Sequence, residues 1–217
     1  MQAHRAGELL RTDGFLPDVC FTSVLRRGIE TLRIALLAMG IASIPIVESW
    51  YLNERHFGAL QGLGRLEAFW RFGPRQVWAC QHRYAAPPPA LAPGDPRHPS
   101  LDARYAALSA NELPATESLR DTVERIRPFW TTTLAPELRK GRRVLVVAHK
   151  NSLRALVRLL DAARDEEVPR LAIRTGRPLM FTLDGELGVV GRRYLDDPVM
   201  RSRPGAMAEP AASLRDA

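Results

Sequence analysis

Val144-Leu145-Val146-Val147-Ala148-His149-Lys150-Asn151-Ser152 runs straight into Leu153-Arg154-Ala155-Leu156-Val157-Arg158-Leu159-Leu160-Asp161. Four consecutive apolar residues, three of them valine, read as a strand buried on both faces, since a strand covered on both sides loses polar alternation. After Ser152, Leu153, Leu156, Leu160 and Ala163 fall at helical spacing. The stretch is a strand–turn–helix unit. In open parallel sheets ligands bind beyond the carboxyl ends of the strands, where the following helix offers free N–H groups and the positive end of its dipole. His149, Lys150 and Asn151 occupy that place. Positive charge in a first helical turn opposes the dipole, so Lys150 and Arg154 call for a negative group between them. The turn reads as an anion site, with phosphate the best candidate.

Upstream, residues 2–13 predict a helix with Ala6, Leu9 and Leu10 on one side, ended by Gly14 and starting abruptly for a domain. Pro17 to Thr22 reads as a short buried strand, and Ser23 as the cap of a helix with Leu25, Ile29, Leu32, Leu36 and Met39 on one face. Arg26 and Arg27 fall in its first turn, a second convergence of strand end, helix start and positive charge. Pro45 to Trp50 gives a third strand, followed by the charged turn Asn53-Glu54-Arg55-His56-Phe57-Gly58, which reads as a site loop. A short helix is expected over Gly64 to Phe72, then an irregular excursion over residues 81–114 rich in proline. A helix from about Glu117 carries Leu119, Val123, Ile126 and Trp130 on one face. Pro178 to Leu183 and Leu187 to Tyr194 read as late strands joined at Asp184-Gly185. The expectation is an α/β fold, a three-layer sandwich around a mainly parallel sheet, forming one domain over residues 1–197 with a disordered tail over 198–217.

The excess of 31 Lys+Arg over 24 Asp+Glu, a net charge of +7, favours anionic partners. The arginines are spread along the chain and no nucleic-acid motif is present, so nucleic acid is not expected among them. Cys20 and Cys80 make neither a disulfide framework nor a metal pattern. No apolar run is long enough to span a bilayer and the first residues lack the apolar core of a signal peptide, which leaves a cytoplasmic location and no membrane contact as the expectation.

His149 has the address of a catalytic group, with a pKa open to nearby charge; the competing reading is a structural histidine bonded to backbone, and the flanking Lys150 and Asn151 count against it. Ser152 lacks the Gly-x-Ser-x-Gly context of a nucleophile and reads as a cap. Glu54 is a candidate general acid/base, or else a simple ion-pair partner of Arg55. Arg26 and Arg27 present planar forks suited to phosphate oxygens. No nucleotide-binding glycine motif and no His/Asp metal cluster occurs, so no metal is expected.

Taken in order, Thr22-Ser23-Val24-Leu25-Arg26-Arg27, Ser49 to Gly62 with Asn53-Glu54-Arg55-His56-Phe57-Gly58 at its centre, Pro87-Pro88-Pro89, and Ala148-His149-Lys150-Asn151-Ser152-Leu153-Arg154-Ala155-Leu156 resemble the motifs of the cofactor-dependent phosphoglycerate mutases of the histidine phosphatase superfamily. The resemblance runs from about residue 3 to residue 196. It implies a cytoplasmic glycolytic enzyme, often a homodimer, that interconverts 3-phosphoglycerate and 2-phosphoglycerate. Its partners are phosphorylated three-carbon acids, with 2,3-bisphosphoglycerate as cofactor and no metal. By the same resemblance Arg27 holds phosphate, Glu54 shuttles the substrate hydroxyl proton, Arg55 binds substrate, His149 stabilises the phosphoryl group in flight, and Asn151 lies beside it. Arg65 stands where the family has a lysine.

Departures from the family pattern are as informative. Family members open with a strand ending in Arg-His-Gly, whose histidine becomes phosphorylated, and none of His4, His56, His82, His98 and His149 is both preceded by arginine and followed by glycine. Absence of that strand predicts an unpaired slot beside Val144–Ala148. Lys150 replaces a glycine, Phe57 replaces a tyrosine, and Gln81 and His82 replace an arginine pair, with Arg83 one place away. Two readings follow: a mutase whose start lies upstream of Met1, or a mutase-derived protein that binds phosphorylated anions or a family partner without turnover.

Overall fold

The computed structural model describes residues 1–110, 112–161 and 163–197. In chain order the elements are α1 (Gln2–Thr12), β1 (Val19–Thr22), α2 (Arg26–Met39), β2 (Ile46–Glu48), α3 (Arg65–Phe72), α4 (Pro74–His82), α5 (Leu119–Phe129), α6 (Ala135–Arg139), β3 (Val144–Val147), α7 (Lys150–Leu160), β4 (Leu179–Leu183) and β5 (Val189–Tyr194). The strands β2, β1 and β3 form a parallel sheet in that order, and β4 and β5 form a separate antiparallel pair.

Alternation along β1 distributes the core. Val19 and Phe21 point to the layer built by α5 and α7, packing with Val123, Ile126, Phe129, Ala155 and Leu156, while Cys20 points to the layer of α1 and α2 with Leu10, Leu32, Leu36 and Met39. Phe21 meets Phe129 edge to face with centroids 5.6 Å apart, the arrangement that the ring quadrupoles favour. The same alternation sends Val144 and Val146 to the first layer and Leu145 and Val147 to the second. Helices α1 and α2 approach so closely that a Cβ on Gly7 would lie 2.8 Å from the Cβ of Ala38 and would also strike the Ala35 carbonyl. Only glycine fits at that crossing.

The three-layer α/β architecture agrees with the sequence reading, and three details differ. First, β3 is apolar on both faces as expected, yet all four of its residues are only half-buried. Among the described residues its one sheet neighbour is β1, and its other edge borders a groove of about 230 Å³ walled by Val144, Leu145 and Val146 on one side and Leu179, Met180 and Phe181 on the other. Consecutive residues of a strand face opposite ways, so consecutive lining residues mean that strand edges, not strand faces, border this groove. That is the expected slot. Second, α4 continues the chain after α3 across Gly73, whose φ of +77° makes the corner, with Pro74 opening the new helix. Third, Ser23 is not the helix cap. Leu25 holds that place, and the Ser23 hydroxyl faces the site described below. The tail expected over 198–217 lies outside the described residues.

Candidate active site

Parallel strands end at one edge, so the turns after β1, β2 and β3 gather there. The turn after β1 supplies Ser23, Arg26 and Arg27; that after β2 supplies Asn53, Glu54 and Arg55; that after β3 supplies His149, Lys150 and Asn151. Cross-links between the turns fix their positions. Asn53 accepts the Val24 N–H through Oδ1 (3.2 Å), and the Glu54 carboxylate accepts the Asn151 N–H (3.1 Å) together with its own neighbour's, Arg55 N–H (2.9 Å). Glu54 thus lies at the positive end of α7, where a carboxylate is favoured.

His149 is buried, 7 % exposed, with both ring nitrogens engaged. Arg27 donates Nε–H to Nδ1 at 3.0 Å, and Ser23 Oγ lies 2.7 Å from Nε2. Arginine has no acceptor to offer, so Nδ1 carries no proton and the neutral ring donates Nε2–H to Ser23. Burial, followed by the Arg27 charge, pushes the imidazole down to about 4. Gly28 makes this contact accessible, because a Cβ there would lie 2.5 Å from Ser23 Oγ and 3.6 Å from His149 Nε2. The reciprocal pair of His149 N–H to Ser152 Oγ and Ser152 Oγ–H to the His149 carbonyl, each 3.0 Å, ties off the start of α7, in line with a capping role for Ser152.

Above these groups opens a cavity of about 740 Å³ whose wall includes Arg26, Arg27, Glu54, Arg55, His56 and Phe57. Arg55 is buried at 4 % exposure, stacks over the Phe57 ring at 4.5 Å, and donates from one terminal nitrogen to the Cys80 carbonyl at 3.1 Å. Its Nε finds no partner among the described residues, and burial holds its pKa below the usual range. A buried guanidinium with an unsatisfied donor is a ready site for an oxyanion. His56 is held neutral chiefly by burial, and its Nδ1 accepts the Gly58 N–H at 3.1 Å. Asn151 is buried and accepts from Arg154 at 3.3 Å, and Arg154 in turn donates to the Leu171 carbonyl at 3.0 Å.

Of the residues singled out in the sequence, His149 and Asn151 are not among those lining the cavity but are bonded to Arg27 and Glu54, which are, and two others stand apart. Lys150 is exposed on the first turn of α7, outside the cavity wall, and Arg65 is exposed at the start of α3, its guanidinium 5.3 Å from the Phe69 ring. The irregular excursion, by contrast, contributes residues that sequence reasoning missed. Arg97, Asp102, Arg104 and Tyr105 line the cavity, and the Tyr105 hydroxyl accepts from Asn53 Nδ2 at 2.9 Å. Arg97 and Arg104 are neutralised by Asp95 and Asp102, two residues before each, a spacing that could have marked them as loop clips. The last missed feature is a buried ion pair, Glu117 with Arg125, on the far side of the Asn53–His56 turn. No cluster of metal-ligating side chains occurs among the described residues, and none of their helices is long and apolar enough to cross a membrane.

The arrangement therefore offers arginine donors, a carboxylate and the neutral His56 imidazole around a cavity of a charge suited to a small anion. Comparison with known proteins agrees in kind. A profile of the histidine phosphatase superfamily (branch 1) matches residues 1–110 and 96–191. A 2,3-bisphosphoglycerate-dependent phosphoglycerate mutase of Nitratidesulfovibrio vulgaris (strain DSM 19637 / Miyazaki F) is 48 % identical over 215 residues, covering 99 % of this chain and 86 % of that protein. Among solved structures, a mycobacterial glucosyl-3-phosphoglycerate phosphatase in complex with VO3 superposes with a TM-score of 0.63 at 20 % identity, over 89 % of this chain and 81 % of that one. The alpha-ribazole phosphatase of Shigella flexneri gives 0.62 at 18 % identity, over 90 % and 80 % of the two chains. At those identities the likeness is one of fold. By the profile and the mutase relative together, the chain belongs to the histidine phosphatase superfamily, branch 1, and within it to the family of the 2,3-bisphosphoglycerate-dependent phosphoglycerate mutases.

Proposed function

We propose that this chain carries the phosphate- and substrate-binding part of a phosphoglycerate mutase site and takes up 3-phosphoglycerate and 2-phosphoglycerate. One observation carries the reading: three strand ends meet at one edge, where Arg27 and the Glu54–Arg55 pair wall a cavity with net positive lining and are bonded to the His149–Asn151 turn through Arg27 to His149 and Glu54 to the Asn151 N–H. Arg27, with the Asn151 side chain at the start of α7, takes the phosphate through a charged fork and an amide group. Arg55, with its unpartnered Nε, takes the carboxylate end. Glu54 faces the carbon chain between them and moves the hydroxyl proton. His149, neutral and donating through Nε2, is a hydrogen-bond donor for the phosphoryl group once Ser23 yields it. Lys150 and Arg26 add long-range attraction for the anion.

The cationic lining also suits the two phosphates of 2,3-bisphosphoglycerate, which when bound supplies the phosphoryl group that primes an acceptor histidine. Since no Arg-His-Gly occurs in the 217 residues, the roles given to these residues stop at binding, orientation and proton transfer. A second reading rests on the groove between β3 and β4. An extended segment bearing an acceptor histidine and seated there would pair both free edges and end beside His149, converting the binding site into a full mutase site.

Titration calorimetry with 3-phosphoglycerate, run beside a coupled mutase assay primed with 2,3-bisphosphoglycerate, tests both readings. Binding that weakens steeply with salt and is lost in Arg27→Met and Arg55→Met supports the binding site. Binding without turnover supports the non-catalytic reading, and turnover by these residues alone sinks it. Absence of any binding by the folded chain sinks the proposal as a whole.

A further inference from the structure

The Glu117–Arg125 pair lies outside the cavity lining and away from solvent: the two side chains are 5 % and 6 % exposed, with nitrogen and oxygen 2.6 Å apart. What it touches is specific. Arg125 donates to the carbonyls of Trp50 (3.2 Å), Tyr51 (2.5 Å) and Asn53 (3.1 Å), and lies 5.7 Å from the Trp50 ring centroid. Glu117 accepts the His56 N–H at 2.8 Å, and its own N–H donates to the His56 carbonyl at 2.9 Å. The pair therefore grips the backbone immediately before and immediately after Glu54 and Arg55 and touches neither of them.

Its anchorage is rigid. Arg125 sits on α5, whose first turn is closed by a capping box of Ser118 with Asp121 and whose Val123, Ile126 and Phe129 are set in the core. A buried ion pair is a weak stabiliser, because desolvation offsets most of the Coulomb attraction and an apolar pair of the same size serves as well. Its geometry is the part that an apolar pair cannot reproduce: a planar fork with five donors can bind one carboxylate and three carbonyls at once.

We infer that Glu117 and Arg125 are positioning residues that hold the Asn53–His56 turn in register, so that the Glu54 carboxylate reaches the α7 N-terminus and the Arg55 guanidinium reaches the substrate carboxylate. The inference rests on the proposed reading of that turn as the substrate-contacting one. It assigns the pair to the substrate end of the cavity; the phosphate end keeps Arg27, which the pair does not contact, and meets the turn through the Glu54–Asn151 and Asn53–Val24 bonds, so the larger effect falls on the substrate end.

That asymmetry provides the test. The variant Glu117→Gln/Arg125→Met keeps the volume and removes both charges, so that neither is left buried alone, and Arg125→Lys keeps the charge without the fork. For each, affinities for inorganic phosphate and for 3-phosphoglycerate are measured by calorimetry, and amide exchange is followed over residues 50–58 and in β1 and α2. The expected result is loss of protection confined to residues 50–58, a drop of about tenfold or more in 3-phosphoglycerate affinity, and phosphate affinity within about twofold of the parent. A parallel fall of both affinities, or unchanged exchange over residues 50–58, overturns the assignment. If the parent chain binds phosphate but not 3-phosphoglycerate, the proposed function fails, and the exchange pattern alone decides whether the pair positions the turn.

Discussion

Gly28→Ala is a small change whose outcome depends on whether the Ser23–His149 contact is as tight as the geometry makes it. Position 28 lies in the first turn of α2, where alanine has the better helix propensity by about 1 kcal/mol, so by that rule the variant is stabilised. The site argues the opposite. A Cβ at position 28 would lie 2.5 Å from Ser23 Oγ and 3.1 Å from Thr22 Oγ1, both on fully buried side chains with no room to withdraw. Forcing a methyl group into a filled interior costs about 1–3 kcal/mol. If Ser23 rotates away instead, its hydroxyl and the His149 Nε2–H lose each other in a buried place, again about 1–3 kcal/mol. Set against the propensity gain, either cost leaves an expected net loss of up to about 2 kcal/mol, equivalent to up to about 8 °C in Tm for a chain of this size.

The cause can be separated from the effect by a double-mutant cycle in urea. Ser23→Ala deletes the oxygen that the new methyl group would strike, and should itself cost about 1–3 kcal/mol by leaving the His149 donor unmet. In that background Gly28→Ala should show the propensity gain of about 1 kcal/mol, giving a coupling of about 1–3 kcal/mol between two residues five apart in sequence. Additive losses, or a Gly28→Ala chain at least as stable as the parent, refute the reasoning, for then the crowding around Ser23 and His149 does not govern this turn.

Two further outcomes follow from the same structure. His149 titrates at about 4 in the folded chain and near its ordinary value when unfolded, so between those values the unfolded chain binds a proton that the folded chain does not. Its contribution is intact above about pH 6.5 and is lost as the pH falls towards 4, about 3 kcal/mol in all; urea titrations across that range should show the slope, and Arg27→Met, which removes the second of its causes, should flatten it. For β3, a parallel strand with one neighbour among the described residues leaves alternate N–H groups without a strand partner there, so amide exchange should find some of Val144–Val147 poorly protected while Cys20–Thr22 of the central strand stays protected. Uniform protection along β3 means that its second edge is covered in solution.

Local patterns were legible wherever the physics is local. The apolar positions of α2 and α5 repeat with the helical period, and Leu32, Leu36, Met39, Val123 and Ile126 are buried as that period requires. The hairpin of β4 and β5 followed from Asp184-Gly185, where Asp184 now accepts the N–H groups of Glu186 and Gly188. Pro74 after Gly73 was an available start signal for α4 that its mixed composition concealed. Burial of β3 was not legible, because the apolar run shows what the strand is suited to and not which neighbours it has. Its composition fits a central strand, whereas its position among the described residues is an edge.

The site divides along the same line. Arg27, Glu54, Arg55, His149 and Asn151 could be found because each follows the end of a strand by two to seven residues, and the topology of a parallel sheet then brings strand ends together whatever the intervening lengths. Nothing comparable marks Arg125, which lies seven residues from its capping serine on an ordinary amphipathic helix, paired with a glutamate outside that helix and bonded to carbonyls more than seventy residues earlier in the chain. Ser23 is intermediate: a serine before a helix reads as a cap, and only the third dimension places its hydroxyl against an imidazole from position 149. Residues carried to the cavity by strand ends leave a local trace, whereas the bonds that reach their turn from Glu117 and Arg125 cross the layers of the sandwich. The Asn53–His56 turn has no regular secondary structure over Glu54 and Arg55 to fix it, so its shape must come from such long-range bonds.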